Sequence, residues 1–403
     1  MTPILAGIEV LLLAASALLL VPLAVLTLQI VVAVWPGMRP HESSGGMASR
    51  RPSIAVLMPA HDEATGIAPV IAAVKARLAA HDRLLVVADN CSDDTARIAA
   101  RAGAEVVERS DPVRRGKGYA LDFGVRHLAT RPPDIVVIVD ADCIVEGDAF
   151  DRLASQCAAT GLPAQALYLM HAPAGAGSRL RIAAFAWIVK NQVRALGYWR
   201  LGLPCQLMGT GMAFPWSAIR SAPLASGHLV EDLQLGLDLA AAGAPPRFCP
   251  AALVTSTFPS RADGIESQRT RWEHGHLGVI AQVGPRLFAD ALRKGDGRLV
   301  AMALDLCVPP LATLGLALIA LLAASGLFAL TGVRTPFLAA AALVALLVMV
   351  VGLAWLGFGR RAVSFGDMLL APLYAARKVP MYVRMLRSRQ MQWVRTRRDD
   401  RPG

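Results

Sequence analysis

"DIVVIVDAD", residues 134–142, is an unbroken apolar run that ends on two aspartates with one residue between them. A run without polar alternation marks a strand buried on both faces, the kind that parallel sheets contain. The design recurs around it: "SIAVLMPA" (53–60), "RLLVVAD" (83–89) and "AEVVER" (104–109) are short apolar stretches, each followed by a helical pattern. Strand then helix, repeated from about Pro52 to Val145, predicts an α/β domain with a Rossmann-like, mostly parallel sheet covered on both faces.

Ligands of such sheets bind beyond the carboxyl ends of the strands. There the chain places Asp62 and Glu63, then Asp89, then Asp140 with Asp142. A lone aspartate at such a point is a turn residue or a helix cap, which is the reading for Asp94. Several converging on one sheet edge point to a site. The chain has no GxxxxGK[ST] loop and no GxGxxG after its first strand, so a diphosphate bound here needs a cation. Asp140 and Asp142 can direct oxygens at one hard divalent ion, Mg²⁺ or Mn²⁺. "RRGKGYAL" (114–121) adds basic side chains, a glycine pair and a helix start, a combination suited to an anion.

Two further motifs lie beyond the sheet pattern. "GHLVEDLQLGLDLAAAGAP" (227–245) sets Glu231 and Asp232 at the start of a helix that Gly243 closes. The helix dipole favours acids there, and a general base has to be ionised to act. "QRTRWEHGHL" (268–277) spaces Gln268, Arg271 and Trp272 at i, i+3 and i+4, which puts an amide, a guanidinium and an indole on one helix face. A guanidinium can fork onto a diphosphate, and an indole can stack on a sugar ring.

Composition adds a membrane. Of 403 residues, 55% are hydrophobic and only 18% are charged, and the mean hydropathy of +0.46 is too high for an ordinary soluble enzyme. Pro3–Trp35 carries one charge, Glu9, and is read as a retained helix in which Pro22 leaves a kink or a tight hairpin open. Leu299–Leu330 and Pro336–Phe358 read as a transmembrane hairpin whose loop carries only Arg334. Arg39, Arg50 and Arg51 follow the first span and Arg360 and Arg361 the last, so the positive-inside rule puts the centre and C-terminus in the cytoplasm. The net charge of +11 therefore faces anionic lipid rather than nucleic acid. Residues 178–200 and 365–387 mix aromatics with arginines; both suit interfacial amphipathic helices, and the first equally suits a buried core helix. Six cysteines with no CxxC pairing read as reduced thiols.

In order along the chain, "VLMPAHDEA" (56–64), "DNCSDDT" (89–95), "GKGYAL" (116–121), "DAD" (140–142), "MGTGMAF" (208–214), "VED" (230–232) and "QRTRW" (268–272) resemble one known motif series. It is that of the membrane-embedded family 2 glycosyltransferases, the group that includes the cellulose, chitin and hyaluronan synthases. The match runs from Ile54 to about Leu277. The resemblance implies a GT-A fold, a nucleotide-diphosphate sugar donor (a UDP-sugar), a divalent metal and inversion at the anomeric carbon. By position, Asp89 would contact the nucleobase with Asp62, Glu63 and Lys117 nearby, and Asp140 and Asp142 would hold Mg²⁺ or Mn²⁺ and the diphosphate. Asp232 would be the catalytic base, next to Glu231. Gly209, Thr210 and Gly211 would line the acceptor, and Gln268, Arg271 and Trp272 would close over the donor.

The domains expected are a span at 3–35, a cytoplasmic GT-A domain at 52–277, an interfacial segment at 278–298, a hairpin at 299–358 and a basic tail at 359–403. The partners implied are the donor, a glycan or lipid-linked acceptor, membrane lipids and export or polymer-channel proteins, at a bacterial inner membrane. The chain departs from the series at Asp89-Asn90-Cys91, where many relatives have two acids and a glycine. His274 and His276 stand outside it, and the spans are fewer than in cellulose synthases. Exopolysaccharide synthesis is the leading reading. Single addition of a sugar to a lipid is its neighbour, and a scaffold or transporter, suggested by Asp305 and Pro309–Pro310, is the rival of another class.

Overall fold

The computed structural model describes residues 3–37, 51–228, 230–259 and 262–387, with the side chains of 262–271 and 384–387 outside that description. The chain divides into two units. One takes the described residues up to 37, with 175–201 and 280–387, and the other takes 51–174 and 202–279.

The second unit is built on one sheet. Its strands are β1 (Ile54–Ala60), β2 (Arg83–Asp89), β3 (Glu105–Arg109), β4 (Ile135–Ile138), β5 (Ile144–Val145), β6 (Ala164–His171), β7 (Met212–Pro215) and β8 (Arg247–Thr257). They lie in the order β3-β2-β1-β4-β7-β6-β8-β5. The half β3-β2-β1-β4 is parallel, with Val56 opposite both Leu84 and Val137. β7 then runs antiparallel to β4 and β6, and β8 returns parallel to β6. The α/β expectation therefore holds as a mixed, mostly parallel sheet. The chain winds β1 to β3 one way and then crosses β1 to place β4, so the order reverses between β1 and β4. A crevice opens at the carboxyl ends of such a reversal.

Burial explains why the apolar runs form these strands. Residues 135–139 are all buried, as are 54–58, and neither face alternates. The helix Lys117–Leu128 lies on this surface through Gly124. A Cβ there would come within 2.4 Å of Leu57 Cδ1 and 2.9 Å of Val87 Cγ2, so only glycine lets the helix approach β1 and β2 this closely. That approach brings Lys117, its first residue, to the sheet edge.

The first unit holds three helices long and apolar enough to cross a membrane: Pro3–Val34, Leu311–Ala329 and Thr335–Gly359. Pro22 lies inside an unbroken helix, so the stretch left open between kink and hairpin is one helix. The run Leu299–Leu330 is not one arm. Pro309 and Pro310 separate a shorter helix, Gly297–Leu306, from Leu311–Ala329, because proline lacks the amide that would carry the helix through.

For residues 178–200 the buried alternative is the one observed. They form a helix, a π-helical turn at Val189–Arg194 and a second helix at Ala195–Arg200, with Ile182–Phe185, Val189, Val193, Arg194 and Tyr198 buried. Buried groups on several faces make this a core segment of the unit. Gly197 sits so close to the first long helix that a Cβ would fall 2.1 Å from the Gln29 carbonyl oxygen. Arg200 closes that helix, donating from Nη1 to the carbonyls of Val32, Ala33 and Trp35 at 3.0, 2.9 and 2.7 Å. In 365–387, by contrast, Phe365, Leu369, Leu373 and Val379 are exposed.

Candidate active site

The carboxyl end of β4 leads straight into Asp140, whose backbone amide is held by the Thr210 hydroxyl at 3.1 Å. Its carboxylate meets the Lys117 ammonium at 2.5 Å. Lys117 also donates to the Gly209 carbonyl at 2.6 Å and stands 3.8 Å from Glu231. Lys117, which the motif series implies near the nucleobase, stands at the centre of the acidic group, because Gly124 seats its helix against β1 and β2. Burial opposes the ammonium charge, but Asp140 and Glu231 outweigh it and hold Lys117 above the ordinary lysine range.

Asp140 and Asp142 have carboxylate oxygens within 4.8 Å of each other and of the Cys143 sulfur. Burial pushes the Cys143 thiol well up, and the two carboxylates supply hard oxygens that can face a cation. The donor set fits Mg²⁺ or Mn²⁺.

Glu231 and Asp232 open the helix Glu231–Ala241, as expected. A Cβ on Gly209 would lie 3.4 Å from Asp232 Oδ2, so the base candidate looks directly onto the glycine backbone that Lys117 binds. Glu231 is pushed up to about 7, chiefly by burial, with Lys117 pulling down and Asp232 pushing up. The raised value means that the folded chain holds a proton that the unfolded chain has released between about pH 4.5 and 7. Glu231 therefore costs stability as pH rises through that window. The Glu231→Gln variant should gain melting temperature over wild type from pH 4.5 to 7 and hold its lead above. A gap independent of pH would refute this.

The loop from Met208 to Gly211 is pinned from β6 by a residue that the motif reading missed. Gln165 is fully buried; its Oε1 accepts from the Met208 amide at 2.8 Å, and its Nε2 donates to the Thr210 and Ala166 carbonyls at 2.9 and 2.8 Å. An isolated glutamine in the apolar strand "AQALYLM" was the available signal. Gly211 also has a packing role. At φ 64° its missing Cβ would sit 2.8 Å from both Ala166 Cβ and Val254 Cγ2, so this glycine packs the loop onto β6 and β8. Gly211→Ala should destabilise the domain by about 1–3 kcal/mol through overpacking, measurable by denaturant titration.

At the ends of β1 and β2 the backbone is strained. Asp62 and Asn90 have φ of 51° and 52°, uncommon for non-glycine residues and frequent at functional sites. The Asp62 carboxylate is held by the Ser92 amide at 2.6 Å, and the Glu63 amide by Thr95 Oγ1 at 2.7 Å. Asp89 is buried and already engaged, accepting from Arg109 Nη1 at 2.5 Å and Asn90 Nδ2 at 3.0 Å. Its role is thus shared with Arg109, twenty residues on, which no motif indicated.

The helix Ala262–Gln282 carries positions 268, 271 and 272 at the predicted spacing, while the side chains of Gln268 and Arg271 lie outside the described residues. Trp272 is half-buried. Gly275 of this helix abuts Val230, where a Cβ would come 2.6 Å from Val230 Cγ1, one residue before Glu231. Burial lowers the His274 imidazole below its ordinary value.

Residues 52–275 match the model of the family described as "Glycosyltransferase like family 2". No curated protein sequence matches the chain. Among solved structures, the mannosyltransferase PcManGT from Pyrobaculum calidifontis, in complex with GDP-Man and Mn²⁺, is similar at 18% identity and a TM-score of 0.55, covering 90% of this chain and 98% of that one. Glucosyl-3-phosphoglycerate synthase from Mycobacterium tuberculosis, in complex with Mn²⁺, UDP and glucosyl-3-phosphoglycerate, is 24% identical at a TM-score of 0.40, covering 58% and 80%. The first likeness shows the fold, the GT-A arrangement expected above.

Proposed function

Because the chain belongs to glycosyltransferase-like family 2 and is accordingly a glycosyltransferase, we propose that it moves a sugar, with inversion, from a nucleoside-diphosphate sugar to a growing glycan at a membrane surface. The observation that supports this most is the grouping of Asp140, Glu231 and Asp232 around Lys117 and the Gly209 backbone, at the carboxyl end of β4.

In this reading Asp232 takes the proton from an acceptor hydroxyl lying against Gly209, and the freed oxygen attacks the anomeric carbon. The bond from that carbon to the diphosphate breaks on the opposite face, and one displacement inverts the centre. Lys117 supplies positive charge beside the leaving group, an electrostatic contribution of the kind that often dominates catalysis. Asp140 and Asp142 would hold Mg²⁺ or Mn²⁺, which when bound neutralises charge building on the departing diphosphate. The GDP-Man and Mn²⁺ complex of the Pyrobaculum mannosyltransferase supports this class of donor and metal. Asp62, Glu63, Asp89 and Arg109 would form the nucleoside end, with a UDP-sugar as the donor. Gln268, Arg271 and Trp272 would close over it.

The arginine-rich flanks support a reading in which this chemistry runs at the cytoplasmic face of a bacterial inner membrane, with exopolysaccharide synthesis as the role and export or channel proteins as partners. A second reading, one sugar added to a lipid acceptor, is favoured by the three long apolar helices found among the described residues. The test is to incubate membranes containing the protein with labelled UDP- and GDP-sugars and Mg²⁺ or Mn²⁺, then size the product. A polymer or ladder supports glycan extension, and a single labelled lipid supports the second reading. No incorporation from any donor, with donor binding also absent, overturns both.

A further inference from the structure

Apart from the group after β4, one other cluster of metal-ligating side chains occurs among the described residues. His61 and Asp62 follow β1, Cys91 follows β2, and one donor atom from each lies within 4.8 Å of the other two. β1 and β2 are parallel neighbours, so the two loops emerge side by side.

The cluster is oriented as metal ligands are. His61 Nδ1 lies 2.7 Å from the Asp89 carbonyl oxygen. A carbonyl only accepts, so Nδ1 carries the proton and Nε2 the lone pair. Nε2 is 3.8 Å from Asp62 Oδ2. A backbone carbonyl on the far ring nitrogen is the usual way in which a metal-bound histidine is aimed. The Asp62 carboxylate is aimed too: the Ser92 amide donates to Oδ1 at 2.6 Å, and the Ser92 hydroxyl reaches both oxygens at 3.2 Å. The Asp62 amide points at Cys91 Sγ, 3.4 Å away, and Asp62 itself is held at a φ of 51°, uncommon for a non-glycine residue.

We infer that His61 Nε2, the Asp62 carboxylate and Cys91 Sγ form a Zn²⁺ site separate from Asp140 and Asp142, and that zinc bound there inhibits donor binding. One nitrogen, one oxygen and one sulfur suit Zn²⁺, whereas Mg²⁺ and Mn²⁺ prefer oxygen alone. The edges of a zinc tetrahedron are roughly 3.3–3.6 Å, so groups that lie within 4.8 Å of one another close onto the ion by about an ångström or less per side chain. Three protein ligands leave a fourth position to water. Binding exchanges the Cys91 thiol proton for the metal and releases it to solvent. The inhibitory half rests on the proposed donor site, since Asp62 would belong to both.

The test uses the full chain in detergent, stripped by chelator, with Co²⁺ as a spectroscopic stand-in for Zn²⁺. One equivalent of Co²⁺ should produce a sulfur-to-cobalt charge-transfer band that Zn²⁺ bleaches. Cys91→Ser should abolish the band, and Asp142→Asn should keep it. No band in wild type, a band retained in Cys91→Ser, or a band lost in Asp142→Asn each overturns the site. Where transfer is measurable with Mn²⁺, one equivalent of Zn²⁺ should cut donor affinity at least tenfold in wild type and leave Cys91→Ser unaffected. Equal inhibition of both removes the regulatory half and leaves the site standing. Absence of any transfer would fall on the proposed function, and the cobalt spectrum does not depend on it.

Discussion

Asp232→Asn is expected to lower sugar transfer by about 10²–10⁴-fold with little change in donor affinity, the range typical for loss of a positioned general base. The size follows from where Asp232 sits. It occupies the second position of its helix and looks onto the Gly209 backbone, while Lys117, bound to the carbonyl of that glycine, is engaged by Asp140 and Glu231. Asn keeps the shape and removes the proton acceptor, so the fall should appear in kcat. Donor binding, measured by calorimetry in the presence of Mn²⁺, should persist in this variant and weaken in Asp142→Asn. If Asp232→Asn kept wild-type turnover, the base would have to be another group, and Glu231, held near neutrality by burial, would be next in line.

The second large effect belongs to the other unit. Arg194 is buried and donates from Nη2 to the carboxylate and the carbonyl of Asp305, both at 2.7 Å, and from Nε to Gln29 Oε1 at 3.0 Å. Gln29 Nε2 returns to the Asp305 carboxylate at 2.6 Å. Three sequence-distant segments thus share one closed polar network, and Asp305, which suggested a transporter on sequence grounds, is a structural ion-pair partner. Asp305→Ala should cost about 3–5 kcal/mol, because it leaves a guanidinium buried without its counter-charge. Unfolding of the purified chain in mixed micelles would measure it. The paired replacement Arg194→Met with Asp305→Leu should recover most of the loss, since neither charge is then stranded. An Asp305→Ala protein as stable as wild type would show that the network contributes nothing.

The contrast between these two residues shows how much of the molecule could be read in advance. Asp140, Asp142, Glu231 and Asp232 were visible because each stands where an element begins or ends, and element boundaries are written in local composition. Arg109, Gln165 and Thr210 were not. Each acts on a partner from another strand or loop: Arg109 on Asp89, Gln165 on the Met208–Gly211 backbone, Thr210 on Asp140. No local pattern encodes such a pairing. The packing role of Gly211 was hidden for a related reason, since nothing local in a motif shows that its missing Cβ makes room for Val254.

The sequence by itself determined the α/β alternation, the acidic residues at strand ends and the three long apolar helices, because strand burial, helix capping and membrane length are properties of contiguous residues. Only the tertiary structure decided that Lys117 pairs with Asp140 and Glu231, that Pro309–Pro310 divides an apolar run, and that Arg194 and Asp305 neutralise each other. These outcomes depend on how closely two elements approach and on which charges are buried together. Both are set by packing across the fold, where a glycine such as Gly124 matters through the side chains of Leu57 and Val87, residues far from it in the chain.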